Sequence, residues 1–148
     1  MGSEMCIRDR SLAAANAVLS MHQSDEISPK LNEFGKALSQ GLEDLIGQTG
    51  MNGLIRVKGH PTWRFLEWRE GFGFTIPEIK TFFMQEMFRR GVLLLGTHNV
   101  TLSHSKQIQN IVLRVYEEVL SLMINDASSG RLSAKLEAEP LKPLFKVR

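Results

Sequence analysis

The spacing of apolar residues changes along this chain, and that change limits the folds open to it. Leu31, Phe34, Leu38, Leu42, Leu45 and Ile46 recur every three or four positions, one stripe on an amphipathic helix. Ile79, Phe82, Phe83, Met87 and Phe88 give a second striped helix, and Ile108, Ile111, Val112, Val115, Val119, Leu122 and Met123 a third. Between them stand short β-rich runs at Leu54–Lys58, Thr62–Trp68, Val92–Leu95 and Val100–Ser103. A striped helix must bury its stripe against another layer. Short strands in adjacent pairs between such helices therefore predict an α+β fold: a small, largely antiparallel sheet of three to four strands with helices packed on one face.

Turn and cap residues set the boundaries. Ser28-Pro29 reads as a helix start, a hydroxyl N-cap followed by proline at the first helical position, and the glycines from Gly47 to Gly53 end that helix. Gly59-His60-Pro61 is a turn and Arg69–Gly73 a loop. Thr75, with Pro77 two places on, opens the next helix, which Gly91 closes behind Arg89 and Arg90. Gly96-Thr97-His98-Asn99 reads as a turn or loop, and Ser105 caps the long helix to about Asn125. Ser128–Glu137 predicts a short last helix, and Pro140 and Pro143 hold the tail, Glu139–Arg148, extended. Ser11–Gln23 also reads as helix, but it is apolar on nearly every face. Such a helix is normally buried all round, and here it has little to bury against.

Composition removes several classes of function. The chain has 148 residues, 43% hydrophobic and 23% charged, the size and make-up of one globular domain or one piece of a larger chain. A net charge of +2, from 18 basic and 16 acidic residues, is no nucleic-acid footprint. Gly91–Leu95, the longest uncharged apolar run, is too short for a bilayer. Cys6 has no partner for an intrachain disulfide, and no Cys/His spacing suggests zinc. The expectation is a cytoplasmic protein with no nucleic-acid or membrane partner and no metal.

No catalytic set follows from spacing. There is no Ser-His-Asp or Cys-His arrangement, no Gly-x-Gly-x-x-Gly after a strand and no P-loop, and neither Lys58 nor Lys80 stands out as a Schiff-base lysine. His22 belongs to a helix end. Trp63, Phe65 and Trp68 with Arg64 and Arg69 could make a stacking platform for single-stranded nucleic acid; the commoner arrangement is a sheet with one face buried and charges on the other. Polar and aromatic residues on the two sheet loops are the pocket candidates: His60, Trp63 and Arg64 on one, His98 and Asn99 on the other, with His104 before the helix cap. Arg64 is the cation beside these loops that could meet a substrate carboxylate; the plainer reading puts it on the solvent face of its strand, paired with Glu67 or with nothing.

Several stretches together resemble a known family. They are Ser11–Leu19, Gly59–Trp63, Glu78–Glu86, Arg89–Leu93, Gly96–Asn99, Ser103–Ser105 and the ending Phe145–Arg148. No one of them is diagnostic, but their order and spacing are similar to the C-terminal region of class III aminotransferases, in particular proteins like glutamate-1-semialdehyde 2,1-aminomutase. The resemblance implies fold type I enzymes that use pyridoxal 5'-phosphate (PLP) and act as homodimers on small amino-acid or amino-ketone substrates. It implies that residues 11–27 are an interdomain helix and connection, and that 28–148 are the small C-terminal domain that closes the substrate pocket. The family's Schiff-base lysine and its phosphate-contacting threonine belong to regions upstream of Ser11. The expectation is therefore a chain without catalytic or cofactor-binding residues, inactive and unable to bind PLP without its large domain. Ornithine- and aminobutyrate-type members carry a carboxylate-binding arginine a few residues past the loop matching Gly96–Asn99. Val100-Thr101-Leu102-Ser103 has none, which suits the aminomutase-like subgroup better. Gly2–Asp9 resembles the translation of a transposase sequencing adapter, so residues 1–10 are expected to be non-native. The alternative reading of the whole chain is a free-standing α+β binding or dimerisation module.

Overall fold

The computed structural model describes residues 2–24 and 26–142, and the side chains of residues 8–23 and 26–142. In chain order the elements are α1 (Gly2–Ser24), α2 (Ile27–Gln48), a 3-10 turn (Met51–Gly53), β1 (Ile55–His60), β2 (Trp63–Trp68), α3 (Ile76–Arg89), β3 (Thr97–Asn99), α4 (Lys106–Ser128) and a second 3-10 turn (Ser133–Lys135). This is the α+β layer expected: three antiparallel strands in the order β1-β2-β3, with helices on one face.

The stripes read from sequence make the core. Leu38, Leu42 and Ile46 of α2, Ile79, Phe82, Phe83 and Met87 of α3, and Val115, Tyr116, Val119, Leu120 and Met123 of α4 pack together over Ile55 and Leu66 of the sheet. Fully burying one such side chain contributes roughly 1.5–3 kcal/mol. Thr75 is the N-cap of α3, where Glu78 accepts from its backbone N at 2.8 Å and its hydroxyl at 2.7 Å. These bonds, after a stronger one from the Ser133 hydroxyl (2.6 Å), hold the Glu78 carboxyl below its ordinary range. Ser105 caps α4 as expected, its hydroxyl accepting from the Ile108 backbone N.

A buried carboxylate joins α3 to α4. Glu86 is 4% exposed and takes Arg89 at 2.6 Å and Arg90 at 2.8 Å. Burial pushes its carboxyl up. The hydrogen bonds from Arg90 and Gln85 and the charges of Arg89 and Arg90 outweigh that and hold it down. Arg90 continues to Glu118 of α4 at 3.1 Å.

Four expectations need correction. Val92–Leu95 is not a strand. The open edge of β2 is met from Gly96, whose carbonyl accepts from Leu66 N, to Val100, whose N donates to Thr62. The third strand is therefore Thr97–Asn99, within the stretch read as a turn, and of the leucines upstream only Leu94 turns inward. Val100–Ser103 is a turn, closed by His104 N on the Thr101 carbonyl. Ser128–Glu137 forms one 3-10 turn rather than a helix, because α4 itself runs to Ser128 and Gly130, at φ +69°, breaks it. Finally, α2 starts at Ile27, which is buried, so Ser28 lies in its first turn and Glu26 takes the cap position without a side-chain bond. Pro143 and the ending Phe145–Arg148 lie outside the described residues.

The first helix begins upstream of the Ser11 start read from the sequence. It runs unbroken across residues 10 and 11, and every described side chain on it from Arg8 to Gln23 is exposed. Leu12 and Leu19 are each 60% exposed, so this apolar helix has, as expected, little to bury against. Among the described residues no helix is long and apolar enough to cross a membrane.

Candidate functional site

Strand pairing assigns each candidate to a face of the sheet. Successive residues of a strand point to opposite sides, and directly paired residues share a side. Leu66 and Ile55 are buried beneath the helices, which makes theirs the inner face. Arg64, Leu66 and Trp68 of β2 then face inward, with His98 of β3 opposite Arg64. Trp63 and Phe65 face outward, 62% and 43% exposed, with Lys58 and His60 of β1 on one side and Thr97 and Asn99 of β3 on the other. The Trp63, Phe65, Trp68, Arg64 and Arg69 set is thus divided between faces. The outer face carries aromatic rings beside basic side chains, not charges alone.

Arg64 is neither free nor paired with Glu67. Its Nε donates to the Ser39 hydroxyl of α2 at 2.8 Å, and its Nη1 donates to the Gly59 carbonyl across the hairpin. Ser39 in turn donates to the Gly35 carbonyl at 2.6 Å. An added Cβ at Gly35 would stand 2.0 Å from the Pro61 carbonyl oxygen, so glycine is what lets the β1–β2 turn lie against α2. Arg64 therefore braces this hairpin on the helix layer. Glu67 pairs loosely with Arg69, at 3.9 Å.

His98 belongs to the core side. Its Nε2 is 2.6 Å from the hydroxyl of Tyr116, a residue 1% exposed. Burial, with a smaller contribution from the charge of His104, pushes the His98 imidazole down to about 4. Burial pushes the Tyr116 hydroxyl up, so it keeps its proton. A neutral imidazole and a protonated phenol thus share one bond, at the end of an aromatic row that runs Trp68, Phe83, Tyr116, His98 with centroid spacings of 4.9, 5.4 and 5.6 Å.

His98, Asn99 and His104 line one cavity of about 440 Å³ between α2, α4 and the 92–100 segment. His104 stacks on Phe34 of α2 at 5.7 Å, and its Nδ1 accepts from Thr101 N. His60 is held by Thr62 (Nδ1 to Oγ1, 3.0 Å) at the far end of the hairpin. The six candidates thus fall into two groups: His98, Asn99 and His104 around the cavity, and His60, Trp63 and Arg64 at the hairpin. Two residues of the cavity region were missed in the sequence, Tyr116 and Gln109. Their signal was spacing: Gln109, Val112, Tyr116, Val119 and Met123 fall at three- and four-residue intervals on the core side of α4. Among the described residues no group of three or more His, Cys, Asp or Glu could hold a metal ion.

No protein-family profile matches this sequence, and no curated protein matches it. A solved structure does. The structure of the PLP internal aldimine form of the FumI protein of Sphingopyxis sp. MTA144 superposes with a TM-score of 0.64 at 21% identity. The match covers 79% of this chain and 28% of that one. At that identity the likeness establishes the fold, an α+β unit of the kind found within a much longer PLP-containing chain.

Proposed function

We propose that residues 28–148 are the small C-terminal domain of a PLP-dependent aminotransferase or aminomutase of the glutamate-1-semialdehyde 2,1-aminomutase-like kind. Residues 11–27 would link it to the large domain. In this reading the whole enzyme is a cytoplasmic homodimer acting on a small amino acid or amino ketone. The observation that carries the reading is the likeness to about a quarter of a PLP-containing chain, taken with an outer sheet face that leaves Trp63 and Phe65 uncovered. A domain that folds alone would ordinarily not leave two aromatic rings and a helix with the apolar exposure of α1 in water together.

The described residues do not fit the cofactor by themselves. PLP needs a lysine for its aldehyde and a partner for its ring nitrogen. Lys135 does meet a buried aspartate, but Asp126 binds it through both oxygens at 2.7 Å as an internal tie between α4 and the last turn. None of the described lysines lines the cavity, and Lys106 reaches the Gln109 side chain. In this reading these residues carry no chemical step. Their part in the proposal is to cover a pocket built elsewhere, exclude water from it and present His60, Trp63 and Asn99 from the outer face. Arg64, with two of its donors already engaged, holds the hairpin that carries His60 and Trp63.

The genomic sequence upstream of the codon for Ser11 tests this directly. An open frame encoding a large domain with a strand-borne lysine is the expected result. A natural start site immediately before Ser11 would discard the enzyme reading. With the large domain restored, Arg64→Ala separates bracing from substrate contact. Loss of a charge-assisted substrate contact of roughly 1.5–3 kcal/mol lowers kcat/KM tenfold to a hundredfold at unchanged Tm; loss of the brace lowers Tm first.

A further inference from the structure

We propose that the cavity between α2, α4 and the 92–100 segment binds a small uncharged carbonyl compound with an apolar body, its oxygen accepting from the Nδ1–H of His98. The inference rests on the cavity itself and is independent of the enzyme reading. At about 440 Å³ the cavity lies within the range of small-molecule sites. Its polar feature follows from the placing of one proton. The buried Tyr116 hydroxyl lies 2.6 Å from His98 Nε2 and has no other hydrogen-bond partner among the described residues. The hydroxyl therefore donates to Nε2, since the reverse would leave a buried O–H without an acceptor. Burial keeps the imidazole neutral at pH 7, so its single proton sits on Nδ1.

Nδ1 is then an oriented donor that no described residue engages. It is not closed off either: among the described residues the sealed side-chain atom without a partner is Gln109 Nε2. His98 lies on the inner face of β3 and lines the cavity, so the cavity is the space this nitrogen can meet. The rest of the lining selects the kind of acceptor. No Asp, Glu, Lys or Arg lines the cavity, so an ion entering it would give up hydration and meet no opposite charge. Phe34, Leu38 and Val112 supply an apolar wall, and the exposed Leu93 and Leu95 extend it. His104 stacks on Phe34 with centroids 5.7 Å apart, which makes part of that wall flat. One neutral donor among apolar walls fits a carbonyl oxygen on a hydrocarbon, and the flat part favours an aryl body.

The probe is acetophenone, titrated into the complete 148-residue chain and followed by amide and imidazole chemical shifts. α-Methylstyrene has the same shape with a CH2 group in place of the oxygen, and benzoate and benzylamine are the anionic and cationic controls. The expected result is one saturable site for acetophenone, with both ions binding more weakly. Replacing His98→Leu together with Tyr116→Phe deletes the donor without stranding the hydroxyl. The pair should weaken acetophenone about fivefold, the loss of one neutral hydrogen bond, and change α-methylstyrene less than about twofold. If the double variant fails to fold, the parent chain decides: the His98 Nδ1 resonance should move with acetophenone and stay in place with α-methylstyrene. Four outcomes overturn the proposal: no saturable acetophenone site, either ion binding more tightly than acetophenone, a folded double variant that weakens both neutral probes equally or neither, or a His98 Nδ1 resonance that acetophenone leaves unmoved.

Discussion

Helices α1 and α4 are both 23 residues long, and they relate to the rest of the molecule in opposite ways. α4 buries Val115, Tyr116, Val119, Leu120 and Met123 along one side and gives its other side to water. α1 is rich in alanine and leucine, yet none of its described side chains is buried. What separates them is arrangement rather than amount of apolar surface. A stripe gives a helix one side to dock, and docking supplies most of a helix's stability in a protein. α1 spreads its apolar residues around the axis and is held by propensity and end contacts. It can be satisfied only by something that surrounds it.

The largest test of this contrast is a cavity in α4. Leu120 is fully buried, so Leu120→Ala should cost about 2–5 kcal/mol in urea unfolding. A loss under 1 kcal/mol would mean that α4 is docked no better than α1. The second test concerns a different mode of docking, the close approach of α2 to the hairpin. Gly35→Ala drives a methyl into the Pro61 carbonyl and should cost about 2–3 kcal/mol, although alanine favours helix. A stabilised variant would show that the hairpin is not seated there.

The third test is a titration. With His98 at about 4 in the folded state and 6.5 as its ordinary value, the unfolded chain binds the proton first as pH falls. The associated stability is complete above pH 6.5 and is lost as pH drops toward 4. Between pH 7.5 and 5.0 the loss should be about 2 kcal/mol, and His98→Gln should flatten it. An unchanged slope in the variant would place the titrating group elsewhere. The smallest effect belongs to α1. Removing residues 2–24 should shift stability by less than about 0.5 kcal/mol while reducing hydrophobic-dye binding. A large loss on truncation would erase the distinction between the two helices.

Much of this fold was legible where one interaction decides the outcome. The stripes of α2, α3 and α4 could be read because a helix has a single period. Thr75 and Ser105 could be read because a cap is a local hydrogen bond. The third strand could not. Val92–Leu95 has the better β composition, but a strand needs a partner edge, and β2 offers its edge to Thr97–Asn99. Sequence alone carries no information about which edge is free. The cavity was half legible for the same reason. His98, Asn99 and His104 stand out as polar loop residues, whereas the unpaired state of Gln109 depends on where α2 and β3 come to rest. Arg64 was visible as a cation near two loops, but its partners, Ser39 and the Gly59 carbonyl, are fixed only by packing.

The two tryptophans lie on one strand and look in opposite directions. Trp68 packs its ring on Phe83 with centroids 4.9 Å apart, while Trp63 is 62% exposed. Emission from this protein therefore has two origins, a blue component from the interior and a red, readily quenched one from the outer face. Anything that settles on that face will shift and shield the red component and leave the blue one in place, whereas unfolding moves both. A single spectrum with an added quencher distinguishes a covered sheet from a damaged core, with no label introduced.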